Sequence, residues 1–250
     1  PPEDIKLRPN FVPGTVVGGR HPHEIGPEHL AGYYAAITCI DDQVGRLMAT
    51  LDELGIADDT LFIFTSDHGD MLGSNGYILK RKPHEESIKV PGIFRWPAAI
   101  RQGKTKDALF AWVDLMPTLL SLGGASLPGD VQGHDLSQVL LDPAADGPEQ
   151  SVYLTQYMPY PTKVDAGWRG VRTKRYTYAR YEDRVWVTYD NQEDPYQLHN
   201  LAEDPGAAGL RDELEGLMLD WMKKTEDSWD YNVPRTTVLH LSPVEEHEAL

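Results

Sequence analysis

Between Leu30 and Leu54 apolar residues return every three or four positions: Leu30, Tyr33, Tyr34, Ile37, Ile40, Val44, Leu47, Met48, Leu51 and Leu54. That spacing predicts a long amphipathic helix with one continuous apolar stripe. Pro27 suits its first turn and Gly55 its C-terminal cap. Asp58-Asp59 makes a turn, and Leu61-Phe62-Ile63-Phe64-Thr65 is a short unbroken apolar run. Directly after a helix, such a run is expected to be a strand buried on both faces of a parallel sheet. Helix followed by buried strand is one step of an α/β layer fold, and no other feature constrains the chain as much.

The rest of the chain is read against that step. Residues 1–26, rich in Pro, Gly and His and without a period, read as an irregular surface segment. Ser66 to Lys82 reads as a loop. Ile88 to Arg95 reads as a second strand, with Pro91 marking an edge or bulge. Asp114 is expected to cap a helix that ends at Gly123-Gly124. After about residue 145 the character shifts. Val152 to Leu154, Gly170 to Thr173, Tyr176 to Tyr181 and Val185 to Tyr189 predict a small antiparallel meander. Leu210, Leu214, Leu217, Met218 and Trp221 predict a last amphipathic helix, and the polar final twenty residues an extended tail. The expected organisation is an α/β core over 1–150 and a small antiparallel-sheet and helix subdomain over 151–250.

Charge excludes one class of partner. The 250 residues carry a formal net charge of −16, so there is no Lys/Arg excess to neutralise nucleic-acid phosphates. An anionic substrate is not excluded, because a bound metal or a small cationic pocket can dominate its local field. No apolar run approaches the roughly 20 residues that span a bilayer. The lone cysteine, Cys39, forbids an internal disulfide, and beside Ile40 it reads as a small packing residue on the buried stripe. Asp41-Asp42 reads as the polar face of the same helix.

The stretch with the most chemistry runs from Thr65 through Ser66-Asp67-His68-Gly69 to Gly76, just beyond the C-terminal end of the expected strand. In open α/β sheets that is where ligands bind. Asp67 and His68 offer a carboxylate oxygen and an imidazole nitrogen side by side, and a divalent cation accepts both. The competing reading is an Asx-turn with an ordinary surface histidine. Lys80-Arg81-Lys82 follows: these cations suit an oxyanion, although three adjacent basic residues are more often a solvated loop. His21 and His23, two apart, are a weak second metal pair.

Taken in order, these pieces resemble the sulfatase family of the alkaline phosphatase superfamily. The resemblance rests on Ile40-Asp41-Asp42-Gln43-Val44-Gly45, Leu51 to Gly55, Thr65-Ser66-Asp67-His68-Gly69, Leu72-Gly73, Lys80, Glu85-Glu86-Ser87 and Val90-Pro91. It continues through Asp114-Leu115-Met116-Pro117-Thr118, Gly133-His134-Asp135-Leu136, Arg169 to Thr173, Arg175-Tyr176-Thr177-Tyr178 and Asp194 to Leu201. It implies an alkaline-phosphatase-like mixed sheet flanked by helices, followed by the small subdomain. It also implies one divalent metal, usually Ca²⁺ with Mn²⁺ or Mg²⁺ as alternatives. Asp67 and His68 match the family's second pair of metal ligands, and Lys80 matches its sulfate-contacting lysine. Asn75 and His84 depart from the family's usual His and Tyr, near the substrate side.

Family members act through a formylglycine made in a C/S-x-P-x-R motif, and these 250 residues contain none. The paired N-terminal metal aspartates are likewise missing. The expectation is therefore a chain corresponding to the C-terminal portion of a sulfatase. An N-terminal half or an oligomer would cover its exposed sheet edge. Its substrate would be a small-molecule or glycan sulfate ester. A phosphonate monoester or phosphodiester hydrolase, and a non-catalytic truncated homologue, stay open as alternatives. Bacterial cytoplasm and periplasm are equally open.

Overall fold

Three regions follow one another along the chain, each built by a different local rule. The computed structural model describes residues 1–18, 23–148, 150–156 and 167–229. His21 and the expected C-terminal tail lie outside them. The N-terminal segment carries a pair of two-residue strands, β1 (Val16–Val17) and β2 (His23–Glu24), antiparallel to each other. Helix α1 spans Pro27–Glu53. At its end Gly55 takes φ +68°. The Gly55 amide donates to Asp52 O (3.1 Å) and the Ile56 amide to Leu51 O (3.1 Å). That pair of bonds is a Schellman cap, and a residue with a Cβ would enter it under strain.

The apolar stripe of α1 is where expectation and structure part. Leu30 alone on the helix is buried, whereas Tyr34, Ile37, Ile40 and Leu47 are exposed, as is Cys39. Among the described residues Cys39 is therefore not a packing residue. Strand β3 (Phe62–Thr65) is half-buried along its length and pairs antiparallel with β4 (Gly92–Arg95), Thr65 opposite Gly92. Among the described residues β3 has no parallel neighbour and is not buried on both faces. The expected strand from Ile88 is also shortened. Glu85–Ile88 forms a single helical turn, α2, closed by the Ser87 and Ile88 amides donating to His84 O (2.9 and 3.1 Å). Pro91, with no amide hydrogen, separates that turn from β4.

Helix α3 runs Trp112–Leu122, two residues ahead of the expected start, and ends at Gly123 with Gly124 at φ +72°. Asp114 is not the N-cap. It sits one turn in, where Oδ2 accepts from the Ala111 amide (2.8 Å) and Oδ1 from the His134 amide (2.8 Å). A carboxylate at that position satisfies a free N-terminal amide from inside the helix. A short α4 (Ser137–Leu141) follows.

The last region is a four-stranded antiparallel meander, β5 (Ser151–Gln156), β6 (Trp168–Thr173), β7 (Tyr176–Arg180) and β8 (Val185–Asp190), in sequential order. Helix α5 (Ala208–Lys224) lies on it. Leu214, Met218 and Met222 pack on Val171 and Tyr178, all buried. Each such side chain contributes about 1.5–3 kcal/mol on leaving water. Gly170 lets β7 approach, since a Cβ there would overlap the Tyr178 carbonyl oxygen. Beyond α5, Asp227 folds back to the fully buried Arg169, accepting from Nε at 2.6 Å and from Nη2 at 3.0 Å. No helix among the described residues is long and apolar enough to cross a membrane.

Candidate functional site

Three polar groups meet just past the C-terminal end of β3. Asp67 uses one oxygen locally: Oδ1 accepts from the His68 amide at 3.0 Å. Its Oδ2 points instead at His68 Nε2, 3.2 Å away. His68 Nδ1 lies 2.8 Å from Gly69 O. A carbonyl only accepts, so Nδ1 carries a hydrogen, and in the neutral ring Nε2 presents its lone pair. Lys80 Nζ donates to that Nε2 at 2.6 Å. The Oδ1 bond reaches the next residue's amide, one position short of an Asx-turn, and leaves Oδ2 facing His68.

Two acceptors facing each other across 3.2 Å repel unless a positive charge lies beside them. In this structure the Lys80 ammonium provides it. A carboxylate oxygen and an imidazole nitrogen converging this way are donor types that a divalent cation accepts, with the Nδ1 hydrogen held by a backbone carbonyl as at metal-bound histidines. Among the described residues no cluster of three or more His, Cys, Asp or Glu side chains gathers into a metal site. Asp67 and His68 therefore fit as part of a coordination shell and not as a whole one.

The loop that carries these groups is held by close backbone packing. Gly69 N donates to Ser87 O (2.9 Å), and a Cβ at Gly69 would overlap the Glu86 carbonyl oxygen. Gly73, at φ +90°, lies under the Phe11 ring. Asn75 N donates to Asn10 O (2.7 Å) and Met71 N to Leu79 O (2.8 Å). Behind the loop the nearly buried Glu86 carboxylate accepts from Asn10 Nδ2 (2.8 Å) and pairs with Arg8 (3.0 Å). Glu85 in turn pairs with Arg172 of β6 at 2.6 Å. Sequence spacing gave no sign of these supports, because each joins segments far apart in the chain. The three converging groups lie open, Asp67 having 81% of its side chain exposed. A neighbouring cleft of about 380 Å³, lined by Arg8, Tyr33, Tyr34, Asp70 and Glu86, contains none of them.

Other sequence candidates fall elsewhere. His84 is 1% exposed, enclosed by Tyr77, Trp186 and Tyr189 with ring centroids 5.4–6.1 Å away. It lies buried in the contact between loop and meander, not at the surface where its departure from the family pattern had placed it. Burial, aided by the nearby Lys82 charge, lowers its pKa to about 4, so it is neutral at pH 7. Lys82 is not simply solvated: its Nζ lies 4.9 Å from the Tyr77 ring centroid and 5.6 Å from that of Trp186. Arg81 remains exposed. His23 stacks on His29 with Nε2 3.1 Å from His29 Nδ1, and its expected partner His21 is outside the described residues.

With fold and site in view, comparison with known proteins gives the family. A family model described as N-sulphoglucosamine sulphohydrolase, C-terminal, matches residues 73–224, and one described as Sulfatase matches 6–125. An ulvan-active sulfatase of Formosa agariphila is 33% identical over 86% of this chain and 41% of its own length. A protein solved in complex with its substrate D-glucosamine-2-N,6-O-disulfate superposes with a TM-score of 0.74 at 31% identity, over 81% of this chain and 42% of that one. A phosphonate monoester hydrolase of Agrobacterium radiobacter gives 0.69 at 25% identity, over 80% and 43%. The chain belongs to the sulfatase family, with that family's alkaline-phosphatase-like α/β fold. It spans less than half the length of these relatives.

Proposed function

We propose that this chain supplies part of the metal and sulfate site of a sulfuric ester hydrolase. Asp67 and His68 would hold one divalent cation, and Lys80 would contact the sulfate. The observation that carries this reading is the convergence of Asp67 Oδ2, His68 Nε2 and Lys80 Nζ, with two acceptors only 3.2 Å apart. The family resemblance implies Ca²⁺, with Mn²⁺ or Mg²⁺ as alternatives; the carboxylate oxygen suits Ca²⁺ or Mg²⁺, and the imidazole is better tolerated by Mn²⁺. When bound, such a cation draws charge from the sulfate oxygens and lowers the pKa of a coordinated hydroxyl.

The chain's own residues perform the remaining tasks. Asp67 keeps Oδ2 available because its other oxygen is tied to the backbone. His68 keeps its Nε2 lone pair because Nδ1–H is used on Gly69 O. Lys80 is a point charge for the negative charge that builds on the sulfate as the ester bond breaks. The formylglycine nucleophile is proposed to come from sequence outside these 250 residues. The relatives act on sulfated sugars or aryl sulfates by name, which supports a small-molecule or glycan sulfate ester as substrate.

Calorimetric titration of Ca²⁺ into the full-length protein tests the ligand pair. Asp67→Ala should weaken binding about 10-fold or more, and unchanged affinity overturns the assignment. A second reading, a phosphonate monoester or phosphodiester hydrolase, is favoured by the likeness to the Agrobacterium enzyme. Relative kcat/KM on an aryl sulfate and a phosphonate ester separates the two. Turnover of neither by the full-length protein points to the non-catalytic homologue.

A further inference from the structure

The backbone on both sides of Lys80 is strained. Leu79 stands at φ +58° and Arg81 at φ +75°, and neither is glycine. Left-handed conformations at such residues are unfavourable and persist only where the surroundings impose them. Lys80 itself is exposed on a flexible stem, yet its Nζ is held 2.6 Å from His68 Nε2. Something must set the path of the chain at this point.

The restraints come from two directions. On the N-terminal side, Leu79 O accepts from the amide of the fully buried Met71 at 2.8 Å. On the C-terminal side, the meander takes hold. Trp168 of β6, 4% exposed, shares its Nε1–H between Gln156 Oε1 at 2.7 Å and Arg81 O at 3.1 Å. Lys82 Nζ rests over the Trp186 ring of β8 and the Tyr77 ring of the loop. The two tryptophans are themselves braced edge to face with centroids 6.0 Å apart, and Tyr181 stacks on Trp186 at 4.9 Å. The cation–π contact and the buried hydrogen bond both favour the path the backbone takes here.

We propose that Lys82, with Trp168 and Trp186, positions Lys80: the meander clamps the backbone at Arg81 and Lys82 and so aims the Lys80 ammonium at the Asp67–His68 pair. These are positioning residues, acting through Lys80. The inference rests on the role proposed above for Lys80 and adds that the β-meander is part of the catalytic apparatus.

The test is a double-mutant cycle on the full-length protein, with hydrogen exchange as a readout independent of turnover. Lys82→Met should lower kcat on a sulfate ester about 10-fold or more, toward the ~100-fold that a 1 Å misplacement costs, with KM changed less. Lys82→Arg, which restores a cation over the rings, should recover most of the loss. In a Lys80→Ala background Lys82→Met should add nothing. An equal loss in both backgrounds overturns the proposal. Trp168→Phe, which keeps a ring and deletes the N–H donor, should behave like Lys82→Met. Exchange at the amides from Met71 to Lys82 should quicken several-fold in Lys82→Met while β6 to β8 stay protected, and unchanged exchange overturns the clamp. If no sulfate ester is turned over, the role of Lys80 in sulfate hydrolysis fails, and the exchange measurement still decides whether the clamp exists.

Discussion

Helices α1 and α5 are both amphipathic, and they end up in opposite surroundings. The shorter, α5, lays Leu214, Met218 and Met222 on the meander and buries all three. The longer, α1, carries the more extended apolar stripe and leaves Ile37, Ile40 and Leu47 about half exposed. The β3–β4 pair resembles α1 in this respect, with Ile93 of β4 at 55% exposure. An amphipathic period tells which side of a helix favours cover. It does not tell whether the cover lies within the same 250 residues. The meander with α5 satisfies itself, whereas the region around α1 and β3 presents an apolar surface.

The contrast can be broken by measurement, and the largest effect should come from the self-contained region. Arg169→Met strips the Asp227 carboxylate of its buried guanidinium. It should cost about 3–5 kcal/mol in a denaturant titration. A loss below 1 kcal/mol would mean that the chain beyond α5 is not docked as described. Next is Lys80, on the loop that the meander supports. Lys80→Ala should lower kcat about 100-fold or more, while Arg81→Ala should leave it within twofold. Comparable losses in the two would remove the special role of Lys80.

A third test uses pH at the contact between the two regions. The folded-state pKa of His84 is depressed to about 4 from 6.5, so the unfolded chain binds more protons between those values. Stability from this group is fully present above about pH 6.5 and is lost as pH falls toward 4. The loss amounts to at most about 3 kcal/mol. His84→Phe should flatten the unfolding profile across that window, and an unchanged slope there would place the acid sensitivity elsewhere. The smallest effect should be Ile40→Ala on α1, within about 0.5 kcal/mol as for an exposed site. A cost of 2 kcal/mol or more, as for Met218→Ala in a packed core, would show that the α1 stripe is covered in solution.

Much of the architecture was legible because it is written in local patterns. The meander was readable from short aromatic and β-branched runs broken by Lys, Asp and Gly, and the turn after α1 from Gly55. The misreadings were local competitions. Ile88 looked continuous with Val90 and Ile93, yet Glu85–Ile88 closes a helical turn on His84 O before Pro91. Asp114 looked like a cap, yet it caps Ala111 from inside α3. At the site, Asp67 and His68 were visible because they are neighbours in sequence. Lys80 was separated from Arg81 and Lys82 by family resemblance alone, since three adjacent cations look alike to any rule of spacing.

The sequence by itself therefore determined the long helices, the meander and the adjacency of Asp67 and His68, since helix and strand periods and neighbouring residues depend on a few positions. The tertiary structure decided which oxygen of Asp67 faces His68 and which stripe is buried. It also decided that Trp168 reaches Arg81 across 87 positions of chain. Such contacts depend on how separate elements pack, and no local pattern encodes them.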